Sequence, residues 1–417
     1  MKVFCSDCNN EAPFGSLGRC LGCGGILRSS YPVEASGRLT RIQAGPGIDR
    51  YRPLLPSTLA LPYLGEGNTP LIPSRRVGPS LGLKHLYFKH EGCNPTGSFK
   101  DRGASLAAAL ASEARARGLL TASSGNAAAA VSAYSAAVGL KCLVLLEPEA
   151  PPTKLRQILT TGAQVMPVDG LFSHGPTAVA DLLLQAASAL KYYLAFIWAP
   201  VNPYLLEAMK TLSYEIAARL SEAPDVVISP VGGGDLLTAQ WRGYLELKQA
   251  GLTDKWPRMI GVQSFKAPPL LEAFRSCAQQ VAPLPYANSG ISGINVPFTG
   301  DHALRAVRDS QGSVVGVDDD EVFGMQRRMA LEEALWVEPV SAASVSALAQ
   351  LVADRQIESG ARVVCILSGA GFKDSRLAQD EAEVVSKRDP VPFDAEAIAA
   401  GAESWGYGVT GDGTRRK

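Results

Sequence analysis

The sequence has no surplus of charge of either sign: Lys+Arg 40 stand against Asp+Glu 40. That balance gives no electrostatic reason to expect a nucleic-acid or acidic-membrane partner. No apolar run of membrane-spanning length occurs, and the start, MKVFCSDCNN, lacks the apolar core of a secretion signal. A cytoplasmic protein is expected. There is no internal repeat, and no low-complexity tract beyond alanine richness.

What is there reads as an α/β protein. The 417 residues exceed one ordinary core and point to two domains with attachments, and 46% hydrophobic with 19% charged residues fits large buried sheets. From about residue 98 helix-like segments alternate with short apolar runs. GNAAAAVSAYSAAVG (125–139) sets Val131, Tyr134 and Val138 on one helical face, and PPTKLRQILTTG (151–162) opens on proline and closes on Gly162. KCLVLLE (141–147), VVIS (226–229), MIGVQ (259–263) and VVCIL (363–367) read as buried strands. Such alternation implies parallel sheets covered on both faces, with ligands at the carboxyl ends of the strands.

The eight cysteines form two groups. Cys93, Cys142, Cys277 and Cys365 are scattered and expected mainly as small buried hydrophobes, and disulfides are not expected. Cys5, Cys8, Cys20 and Cys23 form two C-x2-C knuckles followed by Gly24-Gly25. Four thiolates at that spacing close a tetrahedral shell around structural zinc; a redox pair or a ribbon that has lost its metal is the alternative.

Four loops carry the chemistry. EGCNPTGSFKDRGAS (91–105) delivers Lys100 onto the first turn of an alanine-rich helix, where burial and the positive helix end favour a neutral, nucleophilic amine over a solvated lysine. SPVGGGDLLTAQW (229–241) runs from a strand through Gly232, Gly233 and Gly234 into a helix at Asp235, suited to an anion or simply to a tight turn. This loop has neither the Gly-Lys-Ser/Thr of a P-loop nor a dinucleotide fingerprint. Ser123, Ser124 and Asn126 in TASSGNAAAA open a helix and suit a carboxylate or a polar ring, or merely cap it. CILSGAGFKD places Ser368 after another strand. An amine, a phosphate cradle and polar groups around a ring together match pyridoxal phosphate. A nicotinamide-dependent oxidoreductase would leave Lys100 unexplained, and a non-catalytic amino-acid-binding or adaptor protein would leave the intact set without a use.

NPTGSFKDRG, SSGN, PVGGGDLL and LSGAGFKD, in this order, resemble the fold-type II pyridoxal phosphate enzymes, related to the tryptophan synthase β chain, and threonine synthases in particular. CGGIL, RYRPLLP, LGEGNTPL, NPYLLEAMKTLSYEI and EPVSAAS extend the likeness over nearly the whole chain. The resemblance implies two three-layer α/β domains with the cofactor cleft between them, plus an N-terminal zinc-ribbon-like knuckle. The boundaries read as 1–30 for the ribbon, 31–90 with 205–385 for the large cofactor domain, 91–204 for the small domain and 386–417 for a tail whose end frays.

By the same resemblance Lys100 would hold the cofactor as an imine and act as general base, and Asn126 would bond the ring hydroxyl. Gly232, Gly233, Gly234 and Asp235 would hold the phosphate, and Ser368 would face the ring nitrogen. Ser123 and Ser124, with Thr96, would receive the amino-acid substrate. A homodimer is implied. The activity implied is a carbon–oxygen lyase reaction, elimination or replacement at Cβ or Cγ with a hydroxyl, ester or phosphate leaving group. Threonine synthases carry Asn-Ser and an Arg for the phosphate of O-phosphohomoserine where this chain has Ala199, Pro200 and Leu205. Ala127 likewise replaces a threonine, and Arg156 or Lys154 are the alternative cations. The true threonine synthase reaction is therefore the second reading.

Overall fold

The computed structural model describes residues 2–30, 45–148, 152–374, 376–377, 379–386 and 390–404. Its strands are β1 (Lys2–Cys5), β2 (Glu11–Ala12), β3 (Leu27–Ser30), β4 (Leu71–Pro73), β5 (His85–His90), β6 (Gly118–Ala122), β7 (Lys141–Leu146), β8 (Gln164–Pro167), β9 (Tyr193–Leu194), β10 (Val226–Pro230), β11 (Arg258–Ser264), β12 (Ser313–Val317) and β13 (Arg362–Leu367). The helices of five or more residues begin with α1 (Lys100–Glu113), α2 (Asn126–Ala137), α3 (Pro152–Thr160), α4 (Gly175–Leu190), α5 (Leu205–Met209) and α6 (Thr211–Leu220). They continue with α7 (Asp235–Gln249), α8 (Pro269–Arg275), α9 (Asp301–Asp309), α10 (Asp319–Glu333) and α11 (Pro339–Ala353).

Three sheets result. The first is antiparallel, ordered β2-β1-β3; the second has six strands ordered β12-β11-β10-β13-β5-β4; the third has four ordered β8-β7-β6-β9. The four-stranded sheet is parallel throughout, and in the six-stranded sheet only β4 runs antiparallel. All four expected strands are present, and both expected helices, as α2 and α3.

The strands read as unbroken apolar runs because both faces are covered. Val227, Val364 and Ile366 belong to one core, whereas Val226, Ile228, Val363, Cys365 and Leu367 belong to the core on the opposite face. In the four-stranded sheet Leu119, Cys142 and Val144 face one core and Leu120, Ala122 and Leu145 the other. The period-2 alternation of a strand thus builds a helix layer on each side of both sheets. Each such fully buried aliphatic side chain contributes roughly 1.5–3 kcal/mol.

Residues Met1–Lys373 form one compact unit and Asp374–Lys417 another. The second unit holds α12 (Gln379–Ser386) and α13 (Ala395–Ser404). The expected fraying of the chain end falls at 405–417, outside the described residues. Of the scattered cysteines, Cys142 and Cys365 are buried as expected. Cys93 and Cys277 are exposed instead, because Cys93 closes a single 3-10 turn, Glu91–Cys93, and Cys277 lies in the turn after α8.

Candidate active site

Lys100 opens α1, and its turn is held from three directions. The Asn94 carbonyl accepts the Gly97 N–H at 2.8 Å, closing the turn. Asn94 Nδ2 donates to Glu91 Oε2 at 2.9 Å, and Thr96 donates both its N–H (3.0 Å) and its hydroxyl (2.7 Å) to the Asp101 carboxylate. Burial pushes the Asp101 carboxyl up to about 7 against the lowering effect of those two donors. Phe99 N–H donates to the Ser368 carbonyl at 3.0 Å and Ala370 N–H to the Gly97 carbonyl at 2.9 Å. The lysine turn and the serine loop, from neighbouring strands β5 and β13, are therefore stitched together.

Beneath the turn lies a buried ion cluster. Arg102 is bidentate to Glu91 (2.7 and 2.8 Å) and also reaches both oxygens of Glu215 (2.7 Å each). Lys89 Nζ donates to Glu215 Oε2 at 2.6 Å. Two cations meet two anions, so the cluster is neutral. Burial alone would raise the Glu215 carboxyl, but Arg102 and Lys89 hold it down to about 2.

The Lys100 side chain is half-buried, with Nζ 4.7 Å from the centre of the Phe99 ring. Burial lowers its amine below the ordinary lysine value, and the negative charge of Asp235 opposes that only in part. The effect runs in the direction that frees the amine at neutral pH.

Asp235 belongs to the glycine loop, which leaves the carboxyl end of β10, next to β13 in the sheet. Every carbonyl of the loop is anchored: Thr299 Oγ1 donates to Gly232 (2.7 Å), Trp198 Nε1 and the Gly300 N–H to Gly233 (3.3 and 3.1 Å), and Thr238 Oγ1 to Gly234 (3.0 Å). Among the described residues no protein acceptor pairs with the N–H groups of Gly232, Gly233, Gly234 or Asp235. Four consecutive donors at the start of the 15-residue helix α7 are the arrangement an anion requires. Gly234 has φ +101°, and a Cβ there would lie 2.7 Å from Ala303 Cβ, so no other residue fits that corner of the loop.

Ser123, Ser124 and Asn126 follow β6 in the other sheet and open α2. Ser123 Oγ accepts the Gly125 N–H at 3.1 Å. Asn126 Nδ2 donates to Glu338 Oε2 at 2.8 Å, and the Glu338 N–H donates to the Gly369 carbonyl at 3.0 Å. Glu338 therefore joins the amide loop of one sheet to the buried Ser368 loop of the other. It also explains the glycine after Ser368, since a Cβ at Gly369 would lie 1.8 Å from Glu338 Oε2. Its fixed acceptor leaves Asn126 one further N–H and its carbonyl for a ligand.

Lys373 is a second amine at this rim. Its Nζ donates to the Thr96 carbonyl (2.7 Å) and to Gln157 Oε1 (2.6 Å), while Gln157 Nε2 donates to the same carbonyl (3.0 Å). Burial lowers its amine, opposed by Glu338 and Asp101. Ala199 and Leu205 are fully buried. The Ala199 N–H donates to Asp235 Oδ1 at 2.7 Å. Arg156 is exposed, and the Lys154 side chain lies outside the described residues.

Sequence reasoning missed Glu338, Lys373, Gln157 and His302. The motifs EPVSAAS and LSGAGFKD contain the first two, but nothing local marks them as facing Asn126 and Thr96.

The Sγ atoms of Cys5, Cys8, Cys20 and Cys23 lie within 4.8 Å of one another, with Cys5–Cys23 at 3.4 Å and Cys8–Cys20 at 3.7 Å. A tetrahedral shell with Zn–S near 2.3 Å needs edges of roughly 3.8 Å, so the donor set fits zinc. The knuckle rests on the body through Gly18 N–H to the Val201 carbonyl (2.8 Å) and Gly15 N–H to Tyr204 Oη (2.8 Å).

Known proteins match this arrangement. Residues 63–369 match the family described as pyridoxal-phosphate dependent enzyme. The chain is 35% identical over 386 residues to the threonine synthase of Methanocaldococcus jannaschii, spanning 90% of this chain and 92% of that protein. It is 38% identical over 359 residues to the threonine synthase of Synechocystis sp., spanning 85% and 89%. Its fold is similar to that of maize serine racemase, with TM-score 0.64 and 23% identity over 76% of this chain and 92% of that one. With an anchored glycine loop, a half-buried lysine and relatives of this length, the chain belongs to the pyridoxal-phosphate dependent enzymes, in their threonine synthase-like group.

Proposed function

We propose that this carbon–oxygen lyase acts at Cβ or Cγ of an amino acid bearing a hydroxyl or ester leaving group, with Lys100 as both cofactor attachment and general base. Bound pyridoxal phosphate supplies an aldehyde that condenses with amines and a ring that accepts the electron pair left at Cα. The N–H groups of Gly232 to Asp235 hold the phosphate. Asn126, oriented by Glu338, and the neutral hydroxyl of Ser368 address the ring. A hydroxyl leaves the ring nitrogen largely unprotonated, which favours elimination and replacement over transamination. Ser123, Ser124 and the N-terminus of α2 take the substrate carboxylate, with Thr96 at the edge. Lys100 Nζ, its amine lowered by burial, takes the Cα proton.

The observation that carries this reading is the glycine loop whose carbonyls are all tied down and whose N–H groups are all left over, one strand away from the Ser368 loop stitched to the Lys100 turn. Ala199 and Leu205, buried and apolar, speak for a leaving group of low charge. One observation favours the second reading, the O-phosphohomoserine reaction: Lys373 places a cation beside Thr96. The relatives named threonine synthase agree with it. The same proposal includes structural zinc on Cys5, Cys8, Cys20 and Cys23, a cytoplasmic location and a homodimer. The exposed Leu331, Trp336 and Phe372 offer apolar surface to a second copy. No helix among the described residues is long and apolar enough to cross a membrane.

Borohydride reduction of the yellow protein followed by peptide mass analysis tests the core of this reading. The reduced pyridoxyl group is expected on Lys100, and Lys100→Ala is expected to abolish labelling and α-proton exchange. A label on another lysine, or none, refutes it. A screen of homoserine, its esters and O-phosphohomoserine for spectral change separates the two readings.

A further inference from the structure

His302 sits at the start of α9, directly behind the glycine loop, and none of the roles assigned above uses it. It is 6% exposed. Among the described residues neither ring nitrogen has a hydrogen-bond partner. Nε2 is 3.3 Å from Asp235 Oδ1, close enough for a charge interaction but without hydrogen-bond alignment. The same nitrogen is 3.3 Å from where a Cβ on Gly234 would lie. A buried imidazole with two unsatisfied nitrogens is costly unless a ligand completes it.

The other polar side chains around the loop are already used. Thr299 Oγ1 donates to the Gly232 carbonyl and accepts from Gln263 Nε2. Trp198 Nε1 donates to Gly233, and Asp235 Oδ1 accepts the Ala199 N–H. Asp235 also brings a carboxylate against the loop, its Oδ2 3.5 Å from where a Cβ on Gly233 would lie, and a phosphate dianion held by this loop needs a compensating donor. Among the described residues no Lys or Arg pairs with Asp235; His302 is its only cationic-capable neighbour within ion-pair distance.

We propose that His302 is a side-chain ligand of the phosphate monoester held by Gly232 to Asp235, offsetting the Asp235 charge. This rests on the reading of that loop as the cofactor phosphate site. The ring then has a donor role toward the phosphate, beside the Asp235 carboxylate, and the loop binds by five groups instead of four.

The test measures dissociation constants of the full-length chain, freed of cofactor, for pyridoxal 5'-phosphate and for pyridoxal, which shares the ring and aldehyde but lacks the phosphate. Removing a hydrogen bond to a charged group predicts that His302→Phe weakens pyridoxal phosphate binding roughly tenfold to hundredfold while pyridoxal changes less than about twofold. His302→Asn, which restores an N–H, is expected to recover part of the loss. The ratio of the two constants is read in whichever variant folds, since general damage lowers both alike. Equal weakening of both ligands, or no weakening of either, overturns the proposal. Wild-type protein that binds pyridoxal phosphate no better than pyridoxal overturns the phosphate reading of the loop, and the role of His302 with it.

Discussion

The cysteine knuckle and the Lys100 turn solve one problem in opposite ways. Each must hold a few side chains in a fixed geometry on a segment too short to bury a core of its own. The knuckle gathers four thiols from residues 5 to 23 into a set that a metal would close. The Lys100 turn sets its neighbours Glu91 and Arg102 against Glu215, 113 positions from Arg102, and relies on the surrounding protein to exclude water from them. Local cross-linking would suit a short segment, and an ion cluster closed by a distant residue suits a turn already inside a large unit. The turn thus depends on distant parts of the compact unit, whereas the knuckle's four thiols come from one short segment that shares an apolar core with the body through Val3, Leu27, Leu106 and Tyr204.

Three measurements break or sharpen that contrast. The largest effect is expected from Arg102→Met, which leaves Glu91 and Glu215 buried without their main partner. Breaking such a cluster costs about 3–5 kcal/mol, so the urea midpoint of the whole unit falls and Lys100 labelling falls with it. A variant that keeps its midpoint and loses only labelling would show that the cluster is not structural. Cys8→Ser, or treatment with a strong chelator, comes next. It is expected to expose residues 2–30 to limited proteolysis while the body loses about 1–2 kcal/mol, the worth of a few apolar contacts. A collapse of the body as large as that of Arg102→Met would erase the distinction.

The smallest effect concerns Asp101. Its folded value, about 7, stands above the ordinary 3.8. The folded protein therefore keeps a proton that the unfolded chain releases. Stability from this group is complete below about pH 4 and is lost as pH rises through about 7. Asp101→Asn removes that slope. Urea midpoints of wild type and variant, taken on either side of that window, should show the wild-type advantage shrinking toward the alkaline side. A constant difference would mean that the carboxyl is ionised throughout.

Much of the candidate site was legible beforehand because its parts are contiguous. Ser123 to Asn126, the three glycines and Ser368 each sit in a short run behind an apolar strand, and the parallel-sheet rule sends such runs to the carboxyl ends of the strands; Lys100 was marked by its own turn, Asn94 to Gly97. The strands missed were those whose pattern is masked. β5, HLYFKH, reads as half polar, yet Lys89 in it is fully buried, because Glu215, 126 positions away, neutralises it. β9 is two residues long and has no pattern to read. Glu338, Gln157, Lys373 and His302 are single polar residues on helices or loops, and nothing in their neighbours distinguishes them from surface groups.

The chain's linear order by itself determined the alternating α/β class, the strands of the sheet centres, the four-thiol set and the motifs that name the family. These rest on periodicity and on spacings within about twenty residues, which local geometry converts directly into structure. Only the tertiary structure decided that β5, β13 and β10 lie side by side, that Glu338 bridges Asn126 to the Ser368 loop, and that His302 stands against the glycine loop. Those are meetings between distant residues, set by which faces must be buried together, and no local pattern carries that information.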